Sequence, residues 1–83
     1  MARWEVCRLV RQKGSWSKDK WLAILDTPQG PSVLDESAVF KQDQYYEAGL
    51  QEYSKLAGRL SSAGWEPIGS ENGLVFVFKR YVP

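Results

Sequence analysis

Histidine is absent from the 83 residues, and cysteine occurs once, at position 7. Without histidine, no Ser-His-Asp or Cys-His centre can be assembled. A single cysteine supplies neither a disulfide nor the ligand set of a zinc site. No apolar run approaches the roughly 20 residues of a membrane-crossing helix. The opening Met1-Ala2-Arg3 leads into no signal-peptide core. No phosphate-cradling glycine loop is present, since Gly14, Gly30 and Gly73 stand singly at turns. The carboxylates that adjoin, such as Asp35 and Glu36, do not form the convergent pair that general acid–base catalysis needs. These absences point to a non-enzymatic protein with no catalytic residues, no metal and no cofactor. They also point to a cytoplasmic chain with no membrane partner.

What is present is an ordinary globular composition, 43% hydrophobic and 25% charged, at a length that makes one domain over residues 1–83. A chain this short buries only about 60% of its unfolded surface. Its four tryptophans, four tyrosines and three phenylalanines therefore matter. Each ring buries on the order of 150–250 Å² with few rotatable bonds. Most of them are expected in the core, and self-association is the other common remedy for a small core.

The alternation of residues predicts an α+β fold, with an antiparallel sheet of four or five strands packed on one long helix in the order β-β-(β)-α-β-β. Residues 3–12 read as a strand, with Trp4, Val6, Arg8 and Val10 on one side and Glu5, Cys7, Leu9 and Arg11 on the other. A loop at 13–17 leads to a second strand at 18–26. Thr27-Pro28-Gln29-Gly30-Pro31 is the strongest breaker. A short third strand at Ser32–Leu34 follows, confined to an edge by Pro31, and residues 35–42 read as a connection. The helix is expected over 43–63, capped by Asp43 and ended by Gly64. Its apolar stripe holds Tyr46, Leu50, Tyr53, Ala57 and Leu60, widened by Leu56 and Ala63. Tyr45 is then left to face outward. Gly49 lies beside the stripe, where a close backbone approach would justify it. Residues 65–70 read as a strand limited by Pro67, and Asn72-Gly73 as a type I′ hairpin turn. Residues 74–82 form a last strand, apolar on both sides, central in the sheet and paired with the first.

Three short motifs carry a resemblance: Trp4-Glu5-Val6 in the first strand, Gly64-Trp65-Glu66 closing the helix, and Phe78-Lys79-Arg80 in the last strand. Over residues 3–10 and about 50–80, the chain resembles a small bacterial family of unknown function. The resemblance implies a compact α+β module with no established chemistry, so no catalytic residue carries over. The chain departs from that pattern by a second hairpin, residues 13–40, placed before the helix.

Charge is uneven along the chain. Residues 1–20 hold six basic and two acidic side chains, and the remainder five basic and eight acidic. The acidic middle, with Asp26, Asp35, Glu36, Asp43, Glu47 and Glu52, could meet the basic strand of another copy. The candidate interaction residues are Trp4, Arg8, Arg11, Lys13, Trp16 and Tyr45. The leading expectation is a small interaction module that self-associates as a homodimer, or that takes another protein partner. One helix can cover only one face of a sheet that is apolar on both. The alternative is single-stranded nucleic-acid or small-ligand binding through the basic, Trp-containing N-terminal hairpin. Nucleic acid ranks behind because a pI near 7.8 falls short of a basic domain.

Overall fold

The computed structural model of the chain describes residues 3–83, and the reading of Met1-Ala2 as no leader lies outside them. The elements are β1 (Arg3–Lys13), β2 (Lys18–Thr27), β3 (Gly30–Glu36), β4 (Phe40–Lys41), a helical segment from Gln42 to Ser62, β5 (Glu66–Pro67) and β6 (Val77–Val82). All strand pairs are antiparallel, in the order β3-β2-β1-β6-β5, with β4 continuing the β3 side of β2. The fold is α+β, as the alternation of the sequence predicts. The first and last strands pair, and Cys7 stands opposite both Leu25 and Phe78 at the middle of the sheet.

Turn chemistry sets the register. Thr27 Oγ1 donates to the Gly30 carbonyl at 2.6 Å across the β2–β3 turn, and Gly30 takes φ 112°. Asn72 and Gly73 have φ 53° and 79°, the pair of positive values a type I′ turn requires. Glu71 and Leu74 exchange two backbone hydrogen bonds of 2.8 and 2.9 Å across it.

Residues 35–42, expected as a connection, are more ordered than that. β3 runs on to Glu36, and Phe40–Lys41 returns to pair with Lys18–Asp19. Between them, Ser37 bridges the gap in the edge. Its Oγ accepts from the Trp21 N–H at 2.8 Å, and its own N–H donates to the Trp21 carbonyl at 2.9 Å. Phe40 is thereby carried into the core. In the other direction, the strand expected over 65–70 shrinks to the two residues of β5, where Pro67 has no N–H to continue the ladder. β6 begins only at Val77. Ahead of it, Tyr53 Oη donates to the Val75 carbonyl at 2.8 Å and accepts from its N–H at 2.6 Å. One helical hydroxyl thus satisfies both backbone groups of a residue that has left the ladder.

The helical segment opens with a tight 3₁₀ turn at Gln42–Gln44, widens to a π turn at Tyr45–Gly49, and becomes an α-helix, α1, over Leu50–Ser62. Asp43 is not its cap. The capping position is Lys41, with no side-chain hydrogen bond. Gln42 anchors the start instead, because its N–H donates to the Ser17 carbonyl at 2.9 Å and its side-chain amide to Asp19 at 2.7 Å. The C-terminus closes as a Schellman motif. Gly64 has φ 91°, its N–H reaches the Ser61 carbonyl at 3.1 Å, and the Trp65 N–H reaches the Leu60 carbonyl at 3.0 Å.

The core lies between α1 and one face of the sheet. It gathers Cys7, Leu9, Trp21, Ala23, Phe40, Tyr53, Leu56, Leu60, Trp65 and Phe78. Trp21 is its hub, with the rings of Phe40, Tyr45, Tyr53 and Phe76 at centroid distances of 5.7–6.2 Å. Its indole N–H donates to the Gly49 carbonyl at 2.9 Å. Gly49 is the close approach that the sequence implies, since a Cβ there would lie 3.0 Å from the Phe40 ring. No helix among the described residues is long and apolar enough to cross a membrane.

Candidate functional site: the open face of the sheet

Alternation along β1 sends Glu5, Cys7, Leu9 and Arg11 toward α1, and Trp4, Val6, Arg8 and Val10 to the opposite side. No element among the described residues covers that side. The strand register lays its residues out in rows. Val77, Arg8, Ile24 and Val33 cross four strands in one row, with Val10, Leu22 and Glu36 on one side of it and Lys79 and Val6 on the other. Beyond Val6, Trp4 faces Tyr81 with ring centroids 5.1 Å apart, edge to face, and Lys79 Nζ sits 4.6 Å above the Trp4 ring. Trp4 is 55% exposed, and Val6, Val33 and Tyr81 are exposed with it.

The face is apolar but not uniformly so. At its centre Arg8 grips Asp26 in a two-pronged pair, Nε to Oδ2 at 2.9 Å and Nη2 to Oδ1 at 3.0 Å. That hydrogen bond and the charge behind it hold the Asp26 carboxyl below its ordinary value and raise Arg8. Lys20 and Glu36 make a second pair at 3.2 Å. Arg8, which interrupts the apolar pattern in the sequence, is therefore neutralised in place rather than left as a free cation.

The remaining candidates lie elsewhere. Arg11 is on the helix side. Its Nε contacts Asp19 at 2.7 Å, and its guanidinium sits 4.6 Å from the Tyr45 ring centroid. Asp19 is completely buried, and its carboxyl is held below the usual range first by the Gln42 amide and then by Arg11. Lys13 ends β1 at the surface. Trp16 occupies the tip of the β1–β2 hairpin, 92% exposed, with φ 61°, and Ser17 beside it has φ 55°. From Trp4 to Lys13 the strand runs about 30 Å at 3.3 Å per residue. The two tryptophans of the basic segment thus mark opposite ends of the molecule, and the structure does not bring the six candidates together.

Tyr45 and Tyr46 exchange the places expected of them. Tyr45 is half-buried against Trp21, whereas Tyr46 is 85% exposed. The π turn is the cause. Each of its residues advances by less than the 100° of an α-helix, so one extra residue is taken up before Tyr53 and the phase slips by one. Extending the regular stripe backward from Tyr53 cannot anticipate this.

Sequence reading also missed Asp19 and Phe40. The signal for Asp19 was its parity with Trp21 and Ala23, which places it on the covered face. The acidic middle expected to meet another copy is largely paired at home, with Asp26 to Arg8, Asp35 to Arg59, Glu36 to Lys20 and Glu52 to Lys55. Cys7 is fully buried, and burial, with a smaller push from the Asp26 charge, drives its thiol up to about 11. A thiolate nucleophile is therefore not on offer at neutral pH.

Compared with protein-family models, with curated proteins and with solved structures, the chain matches none.

Proposed function

We propose that this is a small, non-enzymatic interaction module of the bacterial cytoplasm that self-associates as a dimer through the open face of its sheet. The observation behind this reading is the cluster of Trp4, Val6, Ile24, Val33, Val77 and Tyr81 on the side that α1 does not cover. Sheets bury such faces by packing on another sheet about 10 Å away. A second copy suits the middle of this face electrically, because Arg8 and Lys20 are ion-paired to Asp26 and Glu36 and Glu66 stands opposite Lys79, while Lys18 and Lys41, unmatched among the described residues, lie at its hairpin end. Pairing through the outer edge is disfavoured. β3 lacks the Pro31 N–H and is bulged at Leu34, where the register slips between Ile24↔Val33 and Ala23↔Asp35. Sedimentation at micromolar concentration is expected to show a species of twice 9.5 kDa. Val6→Glu places its carboxylate opposite Lys79, so one copy tolerates it while an apolar interface does not. This variant is expected to sediment as a folded monomer. A constant 9.5 kDa mass for the unmodified chain ends the proposal.

A second reading draws on Trp16. Its ring is fully available, and Lys13 and Lys18 flank the tip with no ion pair among the described residues. A base stacked on that indole with phosphates beside the lysines would bind single-stranded oligonucleotides in a salt-dependent way. Unchanged tryptophan fluorescence on adding oligonucleotide at low salt removes this reading.

A further inference from the structure

A recess lies away from the open face, between the π turn and the 71–74 hairpin. It is a cleft of about 350 Å³ lined by Tyr45, Tyr46, Leu50, Leu74, Phe76, Glu71 and Asn72. Two features set it apart from the larger hollow on the outer side of α1, whose walls are Lys55, Gly58, Arg59, Ser62 and Ala63. Its walls are aromatic, and the one carboxylate on them makes no ion pair among the described residues.

The Tyr45 and Tyr46 rings stand at 88° to each other with centroids 5.2 Å apart, so they form a corner. Phe76 and Leu74 line the cleft with them. Glu71 is held at the rim by its two backbone hydrogen bonds to Leu74. Ring faces carry negative electrostatic potential and attract cations within about 6 Å of the centroid, most strongly cations too large and apolar to be well hydrated. Tyr45 already behaves this way toward Arg11, whose guanidinium lies 4.6 Å from its centroid but is not among the residues lining the cleft.

We infer that this cleft is a binding site for an alkylated ammonium group, with Tyr45, Tyr46 and Phe76 as its aromatic walls and Glu71 as its counter-charge. The π turn is what makes it possible. By slipping the helical phase, it turns Tyr46 out of the core and leaves its ring beside Tyr45 rather than beneath it. The inference does not depend on self-association, since the cleft shares no residue with the open face.

The test is an NMR titration with tetramethylammonium, followed on the Tyr45 and Tyr46 ring protons and on the amides of residues 71–74. A small cation in a half-open site is expected to bind with a Kd on the order of millimolar. Tyr46→Ala removes an exposed ring without touching the core, and Glu71→Gln removes only the charge. Each is expected to weaken binding about tenfold. tert-Butanol, a neutral molecule of similar shape, is expected to shift the same signals far less. A trimethyllysine peptide that binds more tightly than choline assigns the cation to a protein side chain, and the reverse order assigns it to a free small molecule. Equal shifts with tert-butanol, shifts that map outside the cleft, no shifts at all, or binding indifferent to Tyr46→Ala and Glu71→Gln would each overturn the inference.

Discussion

The two faces of the sheet are made by alternate residues of the same strands, yet they are finished differently. On the covered side Cys7, Leu9, Trp21, Ala23 and Phe78 are buried, and three ion pairs rim them: Arg11 with Asp19, Arg80 with Glu5, Arg59 with Asp35. Among the described residues, no buried side-chain polar atom is left without a hydrogen bond. On the open side Val6, Val33, Trp4 and Tyr81 remain exposed around the Arg8–Asp26 pair. The count of apolar residues does not separate the faces. What separates them is aromatic size, concentrated under α1, and the supply of partners for buried polar groups.

That comparison can be broken by substitution. Leu56 is fully buried on α1, and Leu56→Ala is expected to cost about 3 kcal/mol in urea denaturation. In so small a domain that is a large share of the total. Acid should act next. The carboxyls of Asp19, Asp26 and Asp35 are held below their ordinary range by Gln42 and Arg11, by Arg8 and by Arg59 respectively. Their contribution is therefore complete above the unfolded carboxylate value of about 4 and is lost as pH falls through the lower folded values. Stability measured against pH should show that acid limb, and Asp19→Asn should shrink it. At the alkaline end the sign is opposite. The unfolded thiol ionises near 9 while Cys7 in the fold resists until about 11, so its contribution to stability falls across that interval, and Cys7→Ala should make the alkaline slope shallower.

The two helical glycines sharpen the contrast between packed and open surfaces. Gly49→Ala forces a Cβ to 3.0 Å from the buried Phe40 ring and is expected to cost about 1–2 kcal/mol. Gly58 meets nothing within 4 Å, and Gly58→Ala is expected to stabilise α1 by about 0.5–1 kcal/mol. The smallest effect belongs to the open face. Val33→Thr at low protein concentration should change the monomer by less than about 0.5 kcal/mol. A cost there equal to that of Leu56→Ala would erase the distinction between the faces.

Much of this was legible in the chain itself. Period-two alternation placed Cys7 and Leu9 opposite Trp4 and Val6, Pro31 marked an edge, and Asn72-Gly73 gave both turn type and hairpin. These features are local, set by side-chain parity and backbone sterics. The features that escaped depend on residues distant in sequence. Asp19 is buried only because Arg11 and Gln42 reach it, and Phe40 is core only because Ser37 lets the edge strand resume. Tyr45 and Tyr46 traded places because a single widened turn shifts phase without leaving a mark in composition. In the candidate site, Trp4 and Arg8 were found together on one face. Arg11 and Lys13 share their strand's alternation but point the other way.

The pairing of β1 with β6 has a consequence for synthesis. Arg3 is matched to Val82 and Arg8 to Val77, so the ladder at the centre of the sheet joins nearly the two extremes of the chain. A ribosome making this protein releases β1 shortly before β2 but long before β6, its neighbour on the other side. The β1–β2–β3 meander can form early from short loops, but Cys7 and Leu9 stay uncovered until α1 follows, and the free edge of β1 stays unpaired until β6 does. Such a high contact order slows folding relative to a helical bundle of equal size. It also means that ribosome-stalled chains lacking residues 77–82 should be captured by chaperones, whereas stalled chains in which those residues have emerged should escape them.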